Sequence, residues 1–211
     1  MPLDDLLSRP NDGLLRVALT FDDGYASLYH VAHPILQRKG FKPTVFLTSG
    51  MLDDTAQRAS DPTQGHYPQE SFMSWRQVNE LLRAGWGVGC HGWQHLDGTK
   101  VRGEDFKINI ERCRSAIHAR TGQTANTMAF TWGHFNQSLL NIVVGDLGMR
   151  HAFSCIHGAV QRPLHPGQAI KRIDIRPDLE MADFASIVQG DWDYLGLMQT
   201  ARHLLRQRHA S

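Results

Sequence analysis

With 211 residues, the chain can bury one sizeable core, and no shift in composition marks a second unit, so a single catalytic domain over 1–211 is expected, with 1–13 and 208–211 peripheral. Lys and Arg number 22 against 21 Asp and Glu, a net charge of +1, which excludes an overall field suited to nucleic acid, an anionic membrane or a polyanionic substrate. Three cysteines, Cys90, Cys113 and Cys155, without CxxC spacing, argue against a disulfide framework and a thiolate zinc site and leave small buried hydrophobes as the expectation.

The opening MPLDDLLSRPNDG has neither a basic region nor an apolar stretch of the kind that marks an export signal, and no segment is apolar enough to span a bilayer. On the sequence given the compartment is the cytoplasm, or an extracytoplasmic one if an export signal has been trimmed away. Apolar runs that read as strands follow at residues 14–20, 43–48, 86–90, 126–130, 151–155 and 169–175. Between them lie segments of helical period around 34–39, 75–84, 104–121, 137–147 and 181–188, with a last one near 194–207. Alternation of this kind implies a mainly parallel sheet wrapped by helices.

The boundaries carry their own chemistry. Pro34 is awkward inside a helix that begins at Ala26, so the regular helix is expected to start or kink there. Ser74 with Gln77 forms a capping box, with Met73 and Val78 in the staple positions, and Gly85 and Gly40 suit the left-handed residue past their helices. Residues 49–71 are polar, contain Gly and Pro, and are long for a loop in a compact domain, the mark of a functional or mobile segment. Following a strand, this loop is placed at the face where the chemistry of parallel α/β barrels collects.

Two motifs share that face. Thr20-Phe21-Asp22-Asp23-Gly24 ends one apolar run, and His91-Gly92-Trp93-Gln94-His95 ends another. One Asp and two His make the three protein ligands of a catalytic divalent-metal site, with zinc ahead of cobalt or nickel, and leave a position open for water. The His pair is spaced to share a helix face or to converge from a loop entering a helix. If Asp23 binds the metal, Asp22 stays free to take a proton from the activated water. Competing motifs fail on context: Gly87 to Gly92 matches GxGxxG without an opening helix, position 92 is not the Glu of HExxH, and no GxSxG or GxxxxGK[ST] is present.

These residues resemble the polysaccharide deacetylases of the NodB-homology type, carbohydrate esterase family 4. The stretch 20–24 is similar to the family's first motif and 85–95 to its second, while Pro43-Thr44-Val45-Phe46 and Phe72-Met73-Ser74-Trp75 resemble its surroundings. The resemblance implies an irregular (β/α) barrel of fewer than eight units, a carbohydrate substrate, and metal-dependent removal of acetyl groups from an amino sugar or polysaccharide. It also implies Asp22 as base, Asp23, His91 and His95 as ligands, and a backbone N–H near the third motif as oxyanion donor. Tyr25, Trp132 and Gly133 become the expected substrate contacts, with Trp93 and Phe135 as further aromatic candidates for sugar stacking.

The chain also departs from the family. Its third motif commonly reads Arg-x-Pro-Tyr-Gly, but here Ala129-Phe130-Thr131-Trp132-Gly133 lacks the Arg that orients the base. Arg172 is a candidate replacement, against the plainer reading of a solvated or structural arginine. Asp191-Trp192 resembles a fourth-motif pair, and an exposed turn explains it as well. The late Leu-x-His carrying the catalytic acid is missing, and His134, His157, His165, His203 and His209 offer no spacing that selects one. Expelling an amine needs a proton more than expelling an alkoxide does, so a site without its acid favours esters. Two alternatives remain open: a metal-independent cyclic-amide hydrolase on the same fold, and a catalytically impaired carbohydrate-binding relative.

Overall fold

The computed structural model describes residues 1–10, 12–160, 162–165 and 167–208. A short helix α1 (Leu3–Ser8) precedes five parallel strands that pair in chain order: β1 (Thr20–Phe21), β2 (Thr44–Leu47), β3 (Gly87–Cys90), β4 (Thr127–Ala129) and β5 (His151–Phe153). Helices α2 (His33–Arg38), α3 (Trp75–Arg83), α4 (Gly103–Thr121) and α5 (Gln137–Asn141) occupy the four crossovers, and α6 (Met181–Gln189) and α7 (Tyr194–Arg208) complete the chain. Strand order equal to chain order, with a helix in every crossover, is the winding of a barrel wall. The wall is a curled half-barrel, an incomplete (β/α) barrel.

Strand length is set by the partners. The apolar run expected as a strand over 14–20 pairs only at its end, where the Thr44 N–H reaches the Leu19 carbonyl at 3.0 Å. The preceding partner is Pro43, which has no N–H to continue the ladder, and Leu14 and Leu15 lie exposed. The stretch expected over 169–175 is likewise reduced to one bridge, Phe153 with Ile170. Past Ile170 the ladder slips: the Arg172 N–H goes to the Ile156 carbonyl at 3.2 Å. That edge closes toward β1 through a side-chain ion pair instead of a strand ladder.

Helix boundaries follow local chemistry. A π-turn (Leu28–Ala32) precedes α2, whose first turn holds Pro34, and the Ser74 to Gln77 capping box opens α3. The helical run expected over 137–147 changes to π-type bonding at Ile142–Asp146. Along β2, Val45 and Leu47 face the helices and pack with Val78, Leu81, Ile110, Cys113 and Ile117, while Phe46 faces inward. Inside, Phe46, Ala129, Phe153 and Ile170 meet Leu3 and Leu7 of α1. Part of the segment expected at the periphery is therefore core: α1 caps the inner face opposite the site. Of the other terminus, residues 209–211, His209 among them, lie outside the described residues.

Candidate metal and catalytic site

The end of β1 separates two adjacent carboxylates. Asp23 (φ 68°) and Gly24 (φ 91°) are both left-handed, a region Asp tolerates and Gly occupies freely. At Gly24 a Cβ would also lie 2.8 Å from Leu47 Cδ2. The turn is pinned by the Thr48 N–H on the Asp23 carbonyl at 3.1 Å, and Thr48 Oγ1 reaches Asp23 Oδ1 at 3.4 Å. Asp22 is thereby aimed at the far edge of the wall and Asp23 at the loop after β3.

That loop carries the imidazoles. The His91 N–H extends the ladder to the Leu47 carbonyl at 2.9 Å, and the chain then turns at Gly92 (φ 103°), where a Cβ would lie 2.6 Å from Asn109 Oδ1. Neither histidine is on a helix; the pair converges from a loop, and the next α-helix begins only at Gly103. His91 Nε2 stands 3.5 Å and His95 Nε2 3.3 Å from Asp23 Oδ1. Each opposite ring nitrogen meets a backbone carbonyl, His91 Nδ1 that of Ala129 at 2.8 Å and His95 Nδ1 that of Gln64 at 3.0 Å.

Those carbonyls accept only, so both Nδ1 atoms carry a proton, and in the neutral form of each ring the Nε2 lone pair faces the carboxylate. Burial holds the His95 pKa below its ordinary value despite the nearby Asp23 charge, which keeps the ring neutral. Two lone pairs and an anion pointing at one spot repel one another unless a cation sits between them. Ligand bonds of about 2.0–2.1 Å in a tetrahedron place donors roughly 3.3–3.4 Å apart, close to the two distances found. The donor set therefore fits a divalent ion, with the orienting carbonyls that metal-binding histidines ordinarily have.

Beside this cluster Arg172 grips Asp22 with two parallel bonds, NH1 to Oδ1 and NH2 to Oδ2, both 2.7 Å. Its Nε bonds the Ser154 carbonyl at 3.1 Å, and its guanidinium lies 5.5 Å from the Phe46 ring centre. Burial pushes the Asp22 carboxyl up, but the Arg172 charge and then His91 outweigh it and hold it below the usual range. Thus the arginine missing from the third motif is supplied from beyond β5.

The third-motif loop lies against these three candidate ligands. Trp132 (φ 52°) packs its indole 4.4 Å from the His95 ring, and Gly133 (φ 69°) approaches Cys155 so closely that a Cβ would be 2.4 Å from its backbone nitrogen. The Gly133 N–H is held by the Phe130 carbonyl at 2.8 Å and that of His134 by the Thr131 carbonyl at 3.0 Å, so neither is free as an oxyanion donor. Trp132 is 43% exposed and can stack on a sugar. Tyr25 is buried against Phe72, its hydroxyl taking the Tyr67 N–H; Phe135 stacks on Phe130, and Trp93 lies under Arg112. Phe135 and Trp93 are placed as packing, whereas the Tyr25 hydroxyl also lies beside the Asp23 carboxylate; burial together with that charge raises its pKa. Asp191 and Trp192 fall in the turn between α6 and α7.

The long loop 49–71 supplies what sequence reasoning missed. Besides the Gln64 carbonyl on His95, it buries His66 5.0 Å from the His95 ring, with Nε2 lacking any hydrogen-bond partner. A histidine in the middle of a long polar loop was the only signal. Also unassigned from sequence was a pair at the rim, His134 Nδ1 on Asp97 Oδ2 at 3.0 Å.

A family model described as polysaccharide deacetylase matches residues 11–152. The protein YxkH of Bacillus subtilis is 20% identical over 173 residues, 82% of this chain and 56% of its own. The poly-beta-1,6-N-acetyl-D-glucosamine N-deacetylase of Escherichia coli K12 is 32% identical over 108 residues, 49% of this chain and 16% of that protein. This chain therefore spans about half of one curated relative and a much smaller part of the other. In structure, the Streptococcus pyogenes deacetylase PplD, solved in complex with acetate, superposes with a TM-score of 0.71 at 18% identity, covering 89% of this chain and 78% of that one. At that identity the likeness is one of fold. Arg172 lies beyond the stretch that the family model matches.

Proposed function

Because the chain belongs to the polysaccharide deacetylase family, whose model covers more than half of it, we propose that it removes acetyl groups from an N-acetylated amino-sugar polymer in a metal-dependent hydrolysis. The observation that carries this reading is the convergence of His91 Nε2, His95 Nε2 and the Asp23 carboxylate on one point, with the Asp22 carboxylate fixed beside it. Asp23, His91 and His95 would hold the ion, zinc by preference for this donor set, with cobalt and nickel also suited. Bound there, it would acidify a water and polarise the acetyl carbonyl.

The chain's own groups do the rest. Asp22 Oδ1 and Oδ2 each accept one bond from Arg172, which leaves lone pairs on both oxygens to take the proton of the attacking water. Arg172 fixes the plane of that carboxylate and keeps it ionised at neutral pH. Trp132 offers the exposed ring at the rim, against which a pyranose face can lie. An N-acetylglucosamine polymer is the substrate favoured by the 32% identity with the Escherichia coli N-deacetylase. Its lone-pair geometry separates this site from a metal-independent amide hydrolase, which has no use for three converging donors.

The test is acetate release from N-acetylglucosamine oligomers by zinc-loaded protein, repeated after chelation and in Asp22→Asn. We expect turnover that chelation abolishes, and an Asp22→Asn protein that keeps its metal and loses about 10²–10⁴-fold in rate. A wild-type protein that binds zinc and oligomer without releasing acetate would identify a binding module instead.

A further inference from the structure

We propose that His134, held by Asp97, is the proton donor to the leaving nitrogen, the group for which the sequence offers no motif; the inference rests on the deacetylase reading above. Four histidines outside the ligand pair lie near the mouth or behind it, and geometry separates them. His66 is 3% exposed with its Nε2 sealed inside the loop. His157 is 6% exposed and overlaid by α7, which passes so close at Gly196 that a Cβ there would be 2.0 Å from the His157 carbonyl oxygen. His203 sits on α7 with its ring tilted against Phe135 at 4.3 Å. His134 alone of these combines an accessible ring, its side chain 48% exposed, with an anchored one.

The anchor is a built pair. Asp97 is 7% exposed in its side chain, and its Oδ1 accepts the Thr99 N–H at 3.1 Å and the Thr99 hydroxyl at 2.6 Å. Its Oδ2 faces His134 Nδ1 at 3.0 Å and Lys100 Nζ at 3.4 Å. With Oδ1 taken up as acceptor by Thr99 and the Lys100 ammonium beside Oδ2, Asp97 presents a carboxylate acceptor to His134, whose Nδ1 carries the hydrogen. The second nitrogen, Nε2, is thereby turned away from Asp97. A carboxylate on Nδ1 stabilises the imidazolium and fixes the direction in which Nε2–H points.

Position supports the role. Asp97 follows ligand His95 by two residues, and His134 follows Trp132 by two, its ring 6.2 Å from an indole that itself lies 4.4 Å from His95. Asp22 enters from β1 and His134 from the loop after β4, so base and donor come from different strands of the wall. In the step, the water oxygen bonds to the acetyl carbon while its proton passes to Asp22. The carbon–nitrogen bond then breaks, its electron pair stays on nitrogen, and nitrogen takes the proton from His134 Nε2. The proton on Asp22 returns to solvent and solvent reprotonates His134, so the products are amine and acetic acid.

The test compares zinc-loaded wild type, His134→Gln and His134→Asn on two substrates, N-acetylglucosamine oligomers and 4-nitrophenyl acetate, whose nitrophenolate leaves without a proton. We expect kcat on the oligomer to fall about 10²–10⁴-fold and kcat on the ester less than tenfold, with zinc content and urea midpoint unchanged. Asp97→Asn, which removes a positioning residue, should give the same split between substrates with a smaller loss. Equal losses on both substrates, or no loss on the oligomer, would overturn the donor role while leaving the deacetylase reading intact. A wild-type protein that cleaves neither substrate removes that reading, and the donor with it.

Discussion

Replacing Arg172 by Met tests whether the base is held by the edge that closes the wall. The guanidinium makes two 2.7 Å bonds to Asp22, and the two side chains are 13% and 26% exposed. Breaking a buried ion pair by removing one partner costs roughly 3–5 kcal/mol, most of it the uncompensated charge left behind. Since a quarter of Asp22 remains in solvent, screening reduces this, and we expect about 2–3 kcal/mol at pH 7. In urea, with a slope of about 2 kcal/mol/M, the midpoint falls by roughly 1–1.5 M.

The pH dependence follows from the sign of the Asp22 shift. Its folded pKa lies below its unfolded value, so the pair's contribution is fully present above about pH 4 and is lost as pH falls through the folded pKa. Without Arg172 the carboxyl is left with burial, which raises its pKa. The gap between wild type and Arg172→Met should therefore be widest at neutral pH and shrink in acid. In an Asp22→Asn background the charge is gone, and Arg172→Met should cost less than about 1 kcal/mol. A double-mutant cycle on chelated protein measures the difference. Effects that add to within about 0.5 kcal/mol would refute the coupling, and with it the claim that a residue beyond β5 orients the base.

Four further outcomes follow from the geometry. Asp23→Asn and His95→Gln should each lower zinc affinity by at least about 100-fold in calorimetric titration, with far-ultraviolet circular dichroism unchanged, because each removes one of three donors. Gly133→Ala should cost more than about 2 kcal/mol in urea unfolding, since it adds left-handed strain to a Cβ 2.4 Å from the Cys155 nitrogen; a cost under about 0.5 kcal/mol would mean the loop shifts freely. Trp132→Ala should raise KM for N-acetylglucosamine oligomers about fivefold, the worth of roughly 1 kcal/mol of stacking, with little change in kcat. Ser74→Ala should lower stability by about 1 kcal/mol through loss of the α3 cap and leave zinc affinity untouched.

The architecture was legible because its signals are local. Five of the six expected strands form, and the boundaries at Pro34, Ser74 and Gly85 fall where the residue types place them. What the sequence overstated was strand length. A run such as 14–20 has the apolar content of a strand, but pairing depends on the neighbour, and Pro43 stops it. Likewise the run 169–175 pairs at Ile170 and then slips, a change that no pattern within the run encodes. The inner packing of α1 was missed for the same reason: Leu3 and Leu7 are two apolar residues in a polar opening, and only the shape of the wall shows that they fill it.

The site divides along the same physical line. Asp22 and Asp23 are neighbours, and His91 and His95 are four apart, so one turn and one loop suffice to bring the proposed water-activating groups together, and adjacency in sequence reveals them. Base orientation instead spans 150 positions from Asp22 to Arg172, and the rim pair spans 37 from Asp97 to His134. Contacts at such separations are fixed by the curl of the wall and the path of the loops, and each side chain alone reads as an ordinary surface residue. A function built from short-range motifs can therefore be recognised from sequence, while the side chains proposed to orient the base and donate the proton are brought to the mouth only by the fold. Loss of a family motif at one position is accordingly weak grounds for loss of chemistry. Here the arginine absent from the third motif has a counterpart in the segment beyond β5, with two bonds to Asp22.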